Sequence, residues 1–263
     1  MEVIIKSDYD AVCDEATSII HAAWKKKPNL VLGLATGSTP LGVYTRLIEL
    51  YKKSKMDFSQ VQTFNLDEYL GLDEDHPRSY AYYMDTNLFS QINIPRRQIH
   101  RLSGRPKDID AHCHDYEHRI REVGGIDIQI LGIGRNGHIG FNEPTSSLSS
   151  RTRVKTLMKE TVEDNARCFA EGEVVPRFVL TMGIGTLMEA KQIVLMSYGV
   201  KKQEAIRATV EGPVTATVPG SALQLHPDVR LIVDEESSGL LSKREYYRYV
   251  YENKERVKDY IRQ

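Results

Sequence analysis

A short apolar run that opens into a glycine-rich loop decides the fold: residues 130–144 read ILGIGRNGHIGFNEP. The run before the loop, Ile128–Ile133, is typical of a strand covered on both faces. Four glycines within nine residues leave room for the backbone to approach a ligand closely. The loop also carries His138 and Glu143. We predict catalysis here, because an imidazole exchanges protons near neutral pH and a nearby carboxylate can orient the ring and stabilise its charged form.

Similar apolar runs alternate with amphipathic stretches along the chain, which is the pattern of βαβ units in a parallel sheet. No repeat, linker or change in composition divides the 263 residues, so we predict an α/β fold with one doubly wound domain over residues 1–263. In such a sheet, ligands bind beyond the carboxyl ends of the strands, where the strand order reverses. Besides the run above, the predicted strands are Leu30–Leu34, Val61–Asn65, Ile193–Ser197 and Val229–Val233. The predicted helices are Asp10–Lys26, Leu41–Lys53, Ile109–Val123, Lys202–Glu211 and Lys243–Arg262.

The composition excludes several classes of function. The formal net charge of −1 provides no broad basic field for nucleic acid and no cationic face for a membrane. The three cysteines lie far apart without a CxxC pair, which favours reduced thiols in the cytoplasm. No signal-peptide pattern and no membrane-spanning apolar run is evident, so we predict a soluble, cytoplasmic protein. His114 and His118 could share a helix face, but no third ligand is evident, and we predict no metal and no cofactor.

The turn after the strand Leu30–Leu34 favours an anion. Residues 35–40 read ATGSTP, and a helix follows. Gly37 permits a tight turn at a helix N-terminus, whose dipole and unpaired N–H groups attract negative charge. The turn matches neither a Walker loop nor a dinucleotide GxGxxG motif, so a compact phosphoester is a better candidate than a nucleotide. An ordinary capped turn is the alternative. Hydroxyl groups are supplied by Thr36, Ser38 and Thr39.

Charged side chains follow other predicted strands. Lys202 and Arg167 could complete a phosphate site, although a solvated surface charge is the alternative for each. Asp67 and Glu68 follow the second predicted strand and point in different directions, so at most one is expected to face a ligand; helix capping is the alternative. A phosphate cradle, a carboxylate base and a His–Glu pair together fit aldose–ketose isomerisation, and other acid/base chemistries fit the same groups.

These motifs resemble those of the glucosamine-6-phosphate deaminase family. The resemblance lies in residues 36–40, 64–69 and 137–144, and it continues through 146–156 and 223–227. It implies a Rossmann-like α/β/α sandwich with a mainly parallel sheet, and the conversion of glucosamine 6-phosphate and water into fructose 6-phosphate and ammonia without a cofactor. The first motif also resembles 6-phosphogluconolactonases, whose histidine loop usually lacks Asn-Glu-Pro. A lactonase, a pentose-phosphate isomerase or a non-catalytic sugar-phosphate sensor is the alternative.

The resemblance also implies roles for individual residues. Asp67 resembles the base that moves a proton between carbons 2 and 1, and His138 resembles the acid/base that opens the sugar ring, supported by Glu143. Asn136 stands where some members carry Asp; its amide can accept a hydrogen bond from the imidazole but cannot offset a positive charge, so we expect an altered pH profile. The residues that resemble the substrate phosphate site are Gly37, Ser38, Thr39, Arg167 and Lys202.

Residues 146–156 directly follow the glycine-rich loop that carries His138 and Glu143, which we call the catalytic loop. They hold hydroxyls and three basic residues but no acidic residue. This segment resembles the allosteric segment of hexameric deaminases, in which N-acetylglucosamine 6-phosphate binds between subunits and activates; a solvated strand or loop is the alternative. Family members are hexamers or monomers, so both states are expectations here. On this match, the activator's phosphate would contact Ser146, Arg153, Lys155 and Thr156.

Overall fold

The computed structural model of the protein describes residues 1–166, 169 and 172–254. Its strands are β1 (Glu2–Lys6), β2 (Val31–Leu34), β3 (Gln62–Asn65), β4 (Asp67–Tyr69), β5 (Ile99–His100), β6 (Ile128–Leu131), β7 (Arg153–Thr156), β8 (Phe178–Thr181), β9 (Gln192–Ser197) and β10 (Val229–Asp234). Its α-helices are α1 (Tyr9–Lys26), α2 (Leu41–Lys52), α3 (Tyr80–Asn87), α4 (Ile109–Glu122), α5 (Lys159–Ala166), α6 (Ile184–Met188), α7 (Gln203–Val210) and α8 (Arg244–Glu252).

Seven strands form the central sheet in the order β1-β10-β9-β6-β2-β3-β5, and all neighbours are parallel. Helices α1, α2 and α3 pack on one face, while α4, α6 and α7 pack on the other. Because both faces are covered, the strands β2, β6, β9 and β10 are mostly apolar. The predicted α/β/α sandwich with a mainly parallel sheet is confirmed.

The predicted elements are found with ends shifted by one or two residues, apart from the end of the last helix. The prediction Lys243–Arg262 corresponds to α8, which ends at Glu252, and its part beyond Lys254 lies outside the described residues. Within the described residues, no helix has the length and apolar character needed to cross a bilayer. That residues 1–263 form a single domain stays a prediction.

The junction between β2 and β6 is where the strand order reverses, because the chain continues from β2 to β3 and β5 on one side and from β6 to β9 and β10 on the other. Gly33 lies opposite Gln129 across this junction. A Cβ atom at Gly33 would lie 2.0 Å from Gln129 Oε1, so the buried amide fills the space that a side chain would need. The loops after β2 and β6 therefore emerge side by side at one edge of the sheet.

A second, three-stranded antiparallel sheet has the order β4-β8-β7. It corrects the expected position of Asp67, which lies within β4 rather than at the end of β3. Asp67 and Arg153 both lie opposite Thr181 of the central strand β8, so the three residues form one row across this sheet and share a face. The sequence did not predict this sheet.

Candidate active site

A cavity of about 200 Å³ opens at the carboxyl ends of the central strands, at the reversal between β2 and β6. Its walls combine the loop after β2, the loop after β6, Asp67 of β4, and residues from α5. This position agrees with the predicted location of the ligand site. The cavity brings together these predicted site residues: Gly37, Ser38, Thr39, Asp67, His138 and Lys202.

His138 is joined to Glu143 through the side chain of Asn136. His138 Nδ1 lies 2.7 Å from Asn136 Oδ1, and Asn136 Nδ2 donates to Glu143 Oε2 at 3.0 Å. An amide oxygen can only accept, so Nδ1 of the neutral ring carries the proton and Nε2 is left as the base. The predicted contact between Asn136 and the imidazole is therefore present, and the ring has one tautomer.

Glu143 is 1% exposed, and three side chains around it favour its charged form. Burial raises its pKa, but hydrogen bonds from His138, Thr161 and Asn136 and the charge of His138 outweigh burial and lower the pKa to about 2. Its Oε2 lies 3.5 Å from His138 Nδ1. Glu143 is thus a carboxylate at neutral pH, and it stabilises the imidazole when the ring gains a second proton.

The imidazole of His138 packs against the backbone of Gly134. A Cβ atom at this position would lie within 2.2 to 2.5 Å of three atoms of the His138 ring. The backbone N–H of Gly134 donates to the carbonyl oxygen of His138 at 2.9 Å, which closes the loop around the ring. The glycines in this loop therefore permit close approach by a side chain of the loop itself, as well as by a ligand.

Asp67 is a buried carboxylate without a hydrogen-bond donor among the described residues, and it lines the cavity. Burial raises the pKa of Asp67 well above its ordinary value of 3.8, and the neighbouring charge of Glu68 raises it further. A carboxylate that no donor stabilises is a strong proton acceptor. Asp67 is therefore arranged to take a proton from a bound ligand.

Glu68 faces away from the cavity. Its carboxylate accepts hydrogen bonds from the backbone N–H groups of Tyr69, Tyr80 and Ala81, two of which begin α3. These are contacts of a helix cap, and they satisfy donors that an α-helix leaves unpaired. Of the two adjacent carboxylates only Asp67 lines the cavity, which agrees with the prediction that at most one of them faces a ligand.

Four of the predicted phosphate residues line the cavity: Gly37, Ser38, Thr39 and Lys202. Gly37 has φ of 90°, a conformation that favours glycine, and no atom lies within 4 Å of the Cβ position. Lys202 is the last residue of a 3₁₀ turn before α7, and its Nζ donates to Ile133 O at 2.6 Å. This contact ties Lys202 to the loop after β6. Arg167 lies outside the described residues.

Several cavity residues were not predicted. Arg135 and Asp164 form an ion pair between the histidine loop and α5, with 2.9 Å from Arg135 Nε to Asp164 Oδ2. Tyr80 stacks on Phe141 with ring centroids 5.9 Å apart, and both line the cavity. The sequence signal for Phe141 was present in the glycine-rich loop, whereas Tyr80 comes from α3 and depends on packing.

The predicted allosteric residues lie beside the catalytic loop. Arg153 Nη1 donates to Asn142 Oδ1 at 2.9 Å, and burial lowers its pKa. Burial also lowers the pKa of Lys155, and the charge of Arg153 lowers it further. Neither cation forms an ion pair with a carboxylate among the described residues. Arg153 and Lys155 share one face of β7, while Thr156 lies on the opposite face.

Ser146 is 2% exposed, and its Oγ has no hydrogen-bond partner within the part of the chain that the structure describes. Its backbone N–H donates to Glu143 O at 3.0 Å, so it follows the catalytic loop closely. Across residues 1–166, 169 and 172–254, no group of three or more His, Cys, Asp or Glu side chains is arranged to hold a metal.

Known proteins resemble this chain over the residues that carry these motifs. Residues 6–232 match the family described as glucosamine-6-phosphate isomerases and 6-phosphogluconolactonases. The chain is 51% identical to the glucosamine-6-phosphate deaminase of Thermoanaerobacter pseudethanolicus over 241 residues, which are 92% of this chain and 95% of that protein. It is 50% identical to the same-named protein of Cellvibrio japonicus over 259 residues, with 98% of each chain covered.

Solved structures show the same fold. A monomeric glucosamine-6-phosphate deaminase matches with a TM-score of 0.88 and 43% identity, covering 91% of this chain and 100% of that one. The 6-phosphogluconolactonase of Leishmania guyanensis matches with a TM-score of 0.71 and 21% identity, covering 91% and 98%. The second likeness shows the fold alone.

We expect Asp67→Asn to stabilise the protein. Because the folded-state pKa of Asp67 is raised, the unfolded chain releases this proton more readily, and the carboxyl lowers the free energy of unfolding increasingly as pH rises above 3.8. Removing it should raise Tm by about 2–8 °C at neutral pH, and by less in mild acid. Thermal unfolding checks this, with the exposed Asp75→Asn as control. An unchanged or lowered Tm would show that the Asp67 charge is compensated.

Glu143 should contribute to stability in the opposite sense. Because its folded-state pKa is lowered from 4.5 to about 2, its contribution is present above pH 4.5 and is lost as pH falls toward 2. We expect Glu143→Gln to lower the free energy of unfolding by about 1–3 kcal/mol at neutral pH, with the difference shrinking in that acid range. Urea unfolding at several pH values measures it. Glu49→Gln, on the surface of α2, should show no such trend; a constant difference for Glu143→Gln would contradict the charge assignment.

Proposed function

The chain belongs to the family of glucosamine-6-phosphate isomerases and 6-phosphogluconolactonases, and we propose that within it the chain acts as a glucosamine-6-phosphate deaminase. The reaction converts glucosamine 6-phosphate and water into fructose 6-phosphate and ammonia. The observation that carries this proposal is the pairing of two different proton-handling groups in one cavity. His138 has a fixed tautomer with Nε2 as base, and Asp67 has an unstabilised carboxylate.

Ring opening is assigned to His138. The closed sugar has no acidic hydrogen at carbon 2, so the ring must open before the carbon skeleton can react. Nε2 of His138 takes the proton of the anomeric hydroxyl and delivers it to the ring oxygen, which leaves an aldehyde at carbon 1. While the imidazole of His138 carries both protons, the negative charge of Glu143 stabilises it.

Proton transfer between carbons is assigned to Asp67. The aldehyde and the neighbouring ammonium make the hydrogen on carbon 2 acidic, and Asp67 removes it as a proton. Return of the proton to carbon 1 leaves an imine at carbon 2, to which water adds before ammonia departs. The products are the ketose phosphate and ammonia, and the carboxylate ends as it began. A raised pKa suits this role, because it makes Asp67 a stronger base and so better able to remove a weakly acidic hydrogen from carbon.

A lactonase and a non-catalytic sensor are less well supported. Hydrolysis of a lactone moves no proton between carbons, so it leaves the carboxylate of Asp67 without a function. A sensor has no use for the tautomer set by Asn136 or for the low pKa of Glu143. The relatives that are about half identical over nearly the whole chain carry the name of the deaminase.

We assign the substrate phosphate to the loop after β2 and to two basic residues. Gly37, Ser38 and Thr39 line the cavity together with Lys202, and Arg167 is proposed by its match to the family motif alone. We also propose that residues 1–263 act as one domain in the cytoplasm, in keeping with a phosphorylated metabolite as substrate. Asn136 replaces a possible carboxylate, so the pH dependence of ring opening rests on Glu143.

The activity is tested by release of ammonia from glucosamine 6-phosphate by the purified protein without an added cofactor. We expect fructose 6-phosphate and ammonia in equal amounts, and almost no reaction with free glucosamine. Asp67→Asn should lower turnover by about 10²–10⁴-fold and stop exchange of the carbon-2 hydrogen, while binding of the sugar phosphate persists. Asp75→Asn serves as the matched control. Near-normal turnover in Asp67→Asn would contradict the assignment of Asp67 as the base, and a wild type that releases no ammonia would contradict the deaminase proposal.

We further propose that N-acetylglucosamine 6-phosphate activates the enzyme through Ser146, Arg153, Lys155 and Thr156, although Thr156 lies on the face of β7 opposite to Arg153 and Lys155. Arg153 and Lys155 share a face of β7 without a carboxylate partner in the described structure, and the buried hydroxyl of Ser146 has no hydrogen-bond partner there. Both features favour an anion. Arg153 contacts Asn142 of the catalytic loop, so an anion there changes a contact of the active site. Oligomeric state, hexamer or monomer, is part of this proposal, although one structural relative is described as monomeric.

Substrate saturation curves with and without N-acetylglucosamine 6-phosphate test the activation, together with the mass of the protein in solution. A coupling of about 1–3 kcal/mol should shift the curve by roughly 5- to 150-fold in substrate affinity. We expect Lys155→Gln to lose this response, while Lys159→Gln, an exposed residue of α5, keeps it. A monomer with hyperbolic kinetics that ignore the compound would end the activation proposal and leave the deaminase proposal intact.

A further inference from the structure

Tyrosine hydroxyls from three separate elements bind the carbonyl oxygens of the loop after β2. Tyr83 of α3 donates to Gly37 O at 2.6 Å. Tyr9 of α1 lies within hydrogen-bond distance of both Ser38 O, at 3.0 Å, and Thr39 O, at 3.1 Å. Tyr44 of α2 donates to Ala35 O from within the core.

The backbone N–H groups of the same loop have no such partners. Among the described residues, no hydrogen bond is made by the N–H groups of residues 36–39, although their residues line the cavity. In a trans peptide, the carbonyl of one residue and the N–H of the next point in opposite directions. A tyrosine that holds the carbonyl of Gly37 outward therefore turns the N–H of Ser38 inward. Tyr9 does the same for the N–H of Thr39.

Tyr9 and the loop after β2 make further contacts that fix their positions. Tyr9 Oη also accepts a hydrogen bond from the backbone N–H of Gly42 at 2.9 Å, in the first turn of α2. The ring of Tyr9 packs against Tyr198 at 4.6 Å between centroids, and Tyr198 Oη contacts Ser38 Oγ at 3.1 Å. Burial raises the pKa of Tyr9 to about 12 and also raises the pKa of Tyr83, so both hydroxyls remain donors across the neutral range.

We propose that Tyr9 and Tyr83 are positioning residues for phosphate recognition, which hold the carbonyl oxygens of residues 37–39 away from the cavity and leave the N–H groups converging on it. A loop whose carbonyls were free to turn inward would present negative oxygens to the phosphate. The two hydroxyls thus maintain an anion-binding concavity of backbone N–H groups before the ligand arrives. This inference rests on the proposed phosphate site, and it adds residues that do not touch the substrate.

The test replaces only the hydroxyls. In Tyr83→Phe and in Tyr9→Phe, we expect KM for glucosamine 6-phosphate and Kd for inorganic phosphate to rise together by about 5- to 10-fold. We expect kcat to stay within about twofold, because the groups that move protons are untouched. The double variant should weaken phosphate binding further. Tyr82→Phe, a more exposed neighbour on the same helix, is the control and should leave both constants unchanged.

The outcomes separate this inference from the proposed activity. If the wild type releases no ammonia but binds inorganic phosphate, and both variants bind it more weakly, the positioning role stands and the deaminase proposal fails. A purely structural role would lower Tm and the active fraction, and so reduce kcat, without changing Kd for phosphate. Unchanged KM and unchanged Kd for phosphate in both variants, or a fall in kcat alone, would overturn the inference.

Discussion

The parallel pairing of β2 with β6 is the contact on which the active site depends. Strands that run in the same direction deliver their following loops to the same edge, and only at this pair do the connections leave in opposite directions. The cavity exists because those two loops diverge. The loop that we propose binds the substrate phosphate comes from β2, and the imidazole comes from the loop after β6. Gly33, which leaves space for the amide of Gln129, allows the two strands to pair at this point.

The smaller antiparallel sheet gives the site its second wall. Asp67 and Arg153 flank Thr181 in one row, and Thr181 Oγ1 accepts a hydrogen bond from the backbone N–H of Phe141 at 3.1 Å. The carboxylate, the catalytic loop and the cationic strand β7 therefore meet within the width of three strands. Arg153 Nη1 donates to Asn142 Oδ1, so β7 is joined directly to the loop that carries His138 and Glu143.

The central strands and most helices were predictable because each buries a continuous apolar run or a regular stripe, which is a local property of the sequence. The small sheet was not, because β4 reads Asp-Glu-Tyr and β7 reads Arg-Val-Lys-Thr, and neither is apolar enough to indicate a strand. The grouping of His138 with Asn136 and Glu143 was predicted, since all three stand within eight residues, but the hydrogen bond from Asn136 to Glu143 was not. The tyrosines behind the loop after β2 were not, because Tyr9 and Tyr83 reach carbonyl groups 29 to 46 positions away.

The amide of Asn136 has one further consequence. A carboxylate between an imidazole and a second acid can pass a proton along, because either of its oxygens accepts and releases one. An amide donates hydrogen bonds only through its nitrogen and accepts them only through its oxygen, so it does not relay a proton from one neighbour to the other. The amide bridge therefore gives a proton on Nδ1 of His138 no route to Glu143 through Asn136.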